Sequence, residues 1–146
     1  MATIKSYTDI NQSKKLAEIL PLESADMAYW KKSYRPNDYA IMAHHTKELQ
    51  EGFEAKGMEY ITCWSLAALL AKLPNEIITD NRFECHYQIH IRKYDGGDNT
   101  TLYQIAYGNN RGSSGSWHDM INTGEKESLI DCCVQMIIKL HELKLL

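Results

Sequence analysis

No run of apolar residues in this 146-residue chain approaches the roughly 20 that a helix needs to cross a bilayer. The opening residues, Met-Ala-Thr-Ile-Lys-Ser-Tyr-Thr-Asp, hold no signal-peptide core, which predicts an intracellular protein. Cysteine is scarce as well. Cys63, Cys85, Cys132 and Cys133 show no Cys-x-x-Cys spacing, and a reducing cytosol would keep all four as thiols. Positive charge is not in excess either. A formal net charge of −3 argues against binding nucleic acid by neutralising phosphates over the whole surface. No linker or low-complexity tract interrupts the chain.

What remains is an ordinary globular composition, 44% hydrophobic and 24% charged, long enough to bury a core as one domain over residues 1–146. The best-punctuated stretch is Thr62–Pro74. Ser65 can cap a helix, and Trp64 and Leu69 stand at the positions of a hydrophobic staple. Leu66, Leu69, Leu70 and Leu73 make an apolar stripe that Pro74 ends. Alanines fill the other sides, which predicts a central core helix.

Other elements follow from their patterns. A first helix near 9–20, with Thr8 as cap, ends at Pro21. Residues 25–34 and 39–43 read as strands about the turn Arg35-Pro36-Asn37-Asp38, with Lys31 and Lys32 suited to a sheet edge. A short amphipathic helix runs from Thr46 to Gly57, and 58–61 is an extended link. A long helix from about Glu127 to Leu143 buries Leu129 or Ile130, Cys133, Met136 or Ile137, Leu140 and Leu143.

The clearest strand is Phe83–Arg92, whose odd positions are apolar and even positions polar. A second strand, 100–108, follows the turn at Asp95-Gly96-Gly97. A three-residue loop with Gly97 left-handed pairs Tyr94 with Asp98 and sets Ile89 against Tyr103 and Tyr87 against Ile105 on the buried face. Ala106 and Gly108 would then lie beside His86 and Glu84 on the polar face and leave a shallow depression. Residues 109–116 form a polar loop, and Trp117–Asn122 a third strand. The expected fold is α+β: an antiparallel sheet of about four to five strands covered on one face by three to four helices, in two layers.

The fragments Lys15–Met27, Cys63–Leu70 and Met136–Leu146 resemble a family of small proteins encoded by phages, prophages and mobile elements of gut bacteria. The resemblance implies a setting, the cytoplasm of a bacterial host, and no established activity, so it carries over no catalytic residue.

Candidate sites are few. His44 and Glu48 at helical spacing could suit zinc, but no third ligand is evident and a solvated helix start is the plainer reading. His86 and His90 share a strand face but stand roughly 13 Å apart, too far for one metal ion. The Gly/Ser/Asn loop with Arg111 could wrap a small anion, yet it lacks the Gly-Lys-Ser/Thr ending of a P-loop. Trp117-His118-Asp119 has no partnered serine or cysteine, and adjacent strand residues point apart. No cofactor and no metal are indicated. The expected site is therefore a binding surface of His86, His90, Arg92, Arg111 and Trp117, and the expected function non-enzymatic binding of a host or phage protein, with inhibition of a host defence as one version. The alternative is a nucleotide sponge that holds a charged aromatic ligand on Arg92, Arg111 and Trp117, and a small hydrolase ranks third. A homo-oligomer is compatible with either.

Overall fold

A computed structural model describes residues 5–79, 85–111 and 115–146, Arg111 by its backbone alone. The described residues form an α+β fold with antiparallel strands and four α-helices, as the sequence patterns predict. Its strands divide into sheets of three and four, and the chain into two compact units, 5–72 and 73–146.

In the first unit, helix α1 (Ile10–Ala17) is capped by Asp9, whose carboxylate accepts from the Gln12 N–H while the Gln12 side chain returns a bond to the Asp9 backbone. Thr8 is not the cap. It is buried, and its hydroxyl meets Ser13 at 2.7 Å and accepts from the Trp64 N–H. After a 3₁₀ turn at Leu22–Ser24 come β1 (Met27–Lys31) and β2 (Tyr39–Met42), then helix α2 (Lys47–Ala55) and β3 (Tyr60–Cys63). The sheet order is β2-β1-β3, so Lys31 lies in the centre strand rather than at an edge. Its ammonium sits over the ring of its cross-strand partner Tyr39, 5.5 Å from the centroid. The supposed link 58–61 contributes to β3, every residue of which is buried.

Helix α3 (Leu66–Lys72) begins as its punctuation predicts. The Ser65 hydroxyl accepts from the Ala68 N–H, Trp64 and Leu69 are fully buried, and the indole N–H of Trp64 donates to Ser24. Yet Leu69 is the only buried residue of α3, and Ala67 and Ala71 face solvent. Apolar composition on every side, made largely of alanine, did not require cover on every side.

The second unit is a four-stranded sheet in the order β4 (Glu76–Thr79), β5 (Cys85–Gly97), β6 (Thr100–Arg111), β7 (Ser116–Asn122), with helix α4 (Leu129–Glu142) packed against β6. Ser128 caps α4, and Ile130, Cys132, Cys133, Val134, Met136, Ile137 and Leu140 are buried along it. Leu143 lies past the helix end and is 55% exposed. Burial pushes the Cys133 thiol up to about 12, and Cys132 is raised by the same cause, which suits inert core cysteines. Positions 83 and 84 of the predicted strand lie outside the described residues.

The β5–β6 register differs from the expected one. Asp98 and Asn99 both have positive φ, 50° and 59°, and make a two-residue turn that pairs Gly97 with Thr100. Such a turn matches the twist of the strands it joins, and Asp and Asn tolerate the left-handed region that it demands. A bulge between Asp95 and Gly97 adjusts the count, held by the Gly97 N–H donating to the Asp95 carboxylate. Ile89 therefore faces Tyr107, and Ile91 faces Ile105. Odd positions still oppose odd ones, so the apolar face keeps its identity while every partner slides.

Candidate functional site

The outer face of the four-stranded sheet is built by that slide. With Ile89 opposite Tyr107, His90 lies opposite Ala106 and Gln88 opposite Gly108, so the small residues stand beside His90 and not beside His86. Strand β7 then pairs with β6, Trp117 opposite Asn110 and Asp119 opposite Gly108, with a register shift that leaves Met120 unpaired. Alternation places Trp117 and Asp119 on the same face and His118 on the other.

Trp117 occupies the expected depression. A Cβ on Gly108 would come within 2.9 Å of two of its ring carbons and would collide with the His118 carbonyl oxygen. Gly108 is thus a place where only a missing side chain lets strand and indole approach. The indole stacks on His90 with centroids 3.6 Å apart and planes 12° from parallel.

A polar network fixes the stack. Arg92 donates to both oxygens of Asp119, at 2.9 and 2.6 Å, and to Gln104 Oε1 at 3.2 Å. The Trp117 Nε1–H donates to Asp119 Oδ1 at 2.7 Å, and the Tyr94 hydroxyl donates to Gln104 Oε1 at 3.0 Å. Asp119 thereby accepts three bonds, two of them in a bidentate fork. The Arg92 guanidinium, helped by the indole N–H, holds the Asp119 carboxyl below its ordinary value, and Asp119 holds Arg92 above its own. A carboxylate so stabilised is a poor base at neutral pH, and its arginine keeps its proton. The fork and the indole hydrogen bond to Asp119 hold Trp117 in one orientation.

His86 lies at the other side of the same face, where its Nδ1 is 2.7 Å from Glu76 Oε1 on β4. Ile78, opposite His86, is 50% exposed. The structure thus brings together His90, Arg92 and Trp117, puts His86 on the same face with a different partner, and pairs the Arg111 backbone with Ser116. The Arg111 side chain and residues 112–114 of the loop lie outside the described part of the structure, and so does any test of the anion-wrapping reading. Sequence reasoning missed Glu76, Tyr94, Gln104 and Asp119. The even-position pattern of β5 and the Trp-x-Asp spacing of β7 carry part of that signal, because residues two apart in a strand share a face.

His44 and Glu48 do not share a helical face. Helix α2 starts after its cap Thr46, and His44 precedes it. Among the described residues no group of three or more His, Cys, Asp or Glu is placed to hold a metal ion, and no helix is long and apolar enough to cross a membrane. Comparison with protein-family models, curated proteins and solved structures finds no match to this chain.

Proposed function

We propose that this protein is a non-enzymatic binding protein whose outer β5–β7 face engages a partner protein. The observation that carries this reading is the locked Trp117–His90 stack with Arg92–Asp119 beside it. Tryptophan, tyrosine and arginine dominate the energetics of protein interfaces, and side chains already fixed in one rotamer lose less entropy on binding. Tyr94, Trp117 and Arg92 are all on this face, and the half-exposed Ile78 extends it with apolar surface. The nucleotide-sponge alternative keeps at most one of its two arginines free of a carboxylate fork, because Asp119 already neutralises Arg92, while the Arg111 side chain lies outside the described residues. The family resemblance supports a phage or mobile-element setting, in which the partner is a host or phage protein and inhibition of a host defence is one version.

The test is affinity capture from the host with wild-type bait and with a His90→Ala/Trp117→Ala bait of unchanged melting temperature, read by native mass spectrometry. A stoichiometric partner held by the wild type and lost by the variant supports the proposal. Equal capture by both baits, or none by either, overturns it.

A further inference from the structure

Strand β7 is the last strand of its sheet, so one of its edges has no neighbouring strand among the described residues. The backbone groups that face this edge follow from the pattern of antiparallel pairing, in which alternate residues bond to alternate sides. In β6 the odd residues turn toward β7. Tyr103 exchanges two backbone bonds with Lys126, and the Ile105 carbonyl accepts from the Thr123 N–H. Asn109 therefore bonds His118, its partner across the ladder, and the neighbours of His118 face the other way. Trp117 and Asp119 thus direct their backbone N–H and C=O to the open edge. Exposure agrees: the Asp119 side chain is only 22% exposed, yet the residue as a whole is exposed, so much of its open surface is backbone.

The two halves of this edge are treated differently. The C-terminal half is closed, because a bulge at Met120 breaks the ladder and the outward Asn122 carbonyl accepts from the Lys139 ammonium at 2.7 Å. Bulges and lysines are devices by which sheet edges avoid pairing with other chains. The half from Ser116 to Asp119 has no lysine, no proline and no bulge. No described residue bonds the outward backbone groups of Trp117 or Asp119. Two N–H and C=O couples on residues two apart, about 7 Å along the strand, complement the backbone of an extended chain. A strand laid there also sets alternate side chains beside Trp117 on the outer face. An uncharged apolar or aromatic side chain suits that place, since Arg92 and Asp119 already satisfy each other.

We infer that the partner protein adds an extended segment to β7 at Trp117–Asp119, as a fifth strand of this sheet. The inference rests on the outer-face reading and names how that face is engaged. A second copy of the chain fits less well. Pairing Trp117 with Asp119 of another copy centres the two-fold axis on His118 and sets two exposed imidazoles directly against each other. Amide exchange in the free full-length protein tests the edge by itself. The Trp117 and Asp119 amides should exchange at least about tenfold faster than that of His118, and equal protection of all three overturns the inference. The binding probe is the peptide acetyl-Lys-Thr-Val-Thr-Val-Thr-amide, followed by NMR. It should slow exchange at Trp117 and Asp119 in a saturable way. Asp119 carrying a backbone N-methyl group, introduced by protein ligation, keeps its carboxylate but loses the outward donor. With an unchanged melting temperature, this protein should bind the peptide at least about tenfold more weakly, the scale of one lost hydrogen bond. No saturable response, an equal response in the N-methylated protein, or dimerisation through β7 instead overturns strand addition. The same protein used as bait separates the two readings. A host partner lost by it and by His90→Ala/Trp117→Ala supports strand addition. A partner that it retains and His90→Ala/Trp117→Ala loses overturns strand addition and leaves the outer-face reading intact, and no capture even by the wild type overturns both.

Discussion

The two faces of the four-stranded sheet are made by alternate residues of the same strands, yet they are held by different forces. Inside, Ile77, Tyr87, Ile105 and Tyr107 are at most 5% exposed, and α4 covers β6. Outside, His90, Arg92, Trp117 and Asp119 hold one another through stacking, a bidentate ion pair and an indole hydrogen bond. Burial is non-directional and scales with area, so the inner face carries the stability. Hydrogen bonds exchange with water at small net gain but fix angles, so the outer face carries geometry. The proposed binding role of the outer face rests on this difference.

The comparison can be broken from the inside first. Ile105→Ala should cost about 2–5 kcal/mol, because it empties a fully buried position, and denaturant titration measures it. A loss below about 1 kcal/mol would mean that the inner face is not the core.

Gly108→Ala tests how closely the faces are joined. The added methyl meets the His118 carbonyl and the Trp117 ring, so the strand or the indole must shift, at a cost of about 1–3 kcal/mol. Tryptophan fluorescence should report the displaced indole. An unperturbed spectrum with wild-type stability would show that the approach is not tight.

Arg92→Ala should cost about 1 kcal/mol, since the pair is partly exposed and the loss is screened by salt. Its larger effect should be on Trp117, whose anchor Asp119 loses its fork. Acid makes the same cut without mutation. Asp119 has a depressed pKa in the folded state, so its contribution is present above the unfolded carboxylate value of about 3.9 and lost as pH falls through the lower folded value. Trp117 fluorescence should therefore hold steady down to about pH 4 and change below it. His45 supplies the contrast. Burial lowers its pKa, so the unfolded chain takes up the proton first, and stability should fall as pH drops below the unfolded histidine value of about 6.5. His45→Phe should flatten that segment of the pH profile.

The smallest effect is expected from His86→Ala, within about 0.5 kcal/mol, because its pair with Glu76 is surface-exposed. A fall beyond 1 kcal/mol would make the outer face a structural layer and weaken its reading as a binding surface.

Local pattern alone determined a good deal. The strict alternation of β5 fixed which residues face the core, since side chains of a strand alternate whatever it pairs with. The caps at Thr46 and Ser65 and the burial of Trp64 and Leu69 follow from residues a few positions apart. Strands β3 and β4 were not legible: at four residues each they are too short for a period to show. The hairpin register was underdetermined because Gly96, Gly97, Asp98 and Asn99 offer more than one turn, and every even slide preserves the apolar face. Only tertiary pairing chose among those slides. It set Arg92 against Asp119, 27 residues away, and His90 against Trp117 over a glycine, because cross-strand contact depends on register and bulge, and neither is written in a single strand.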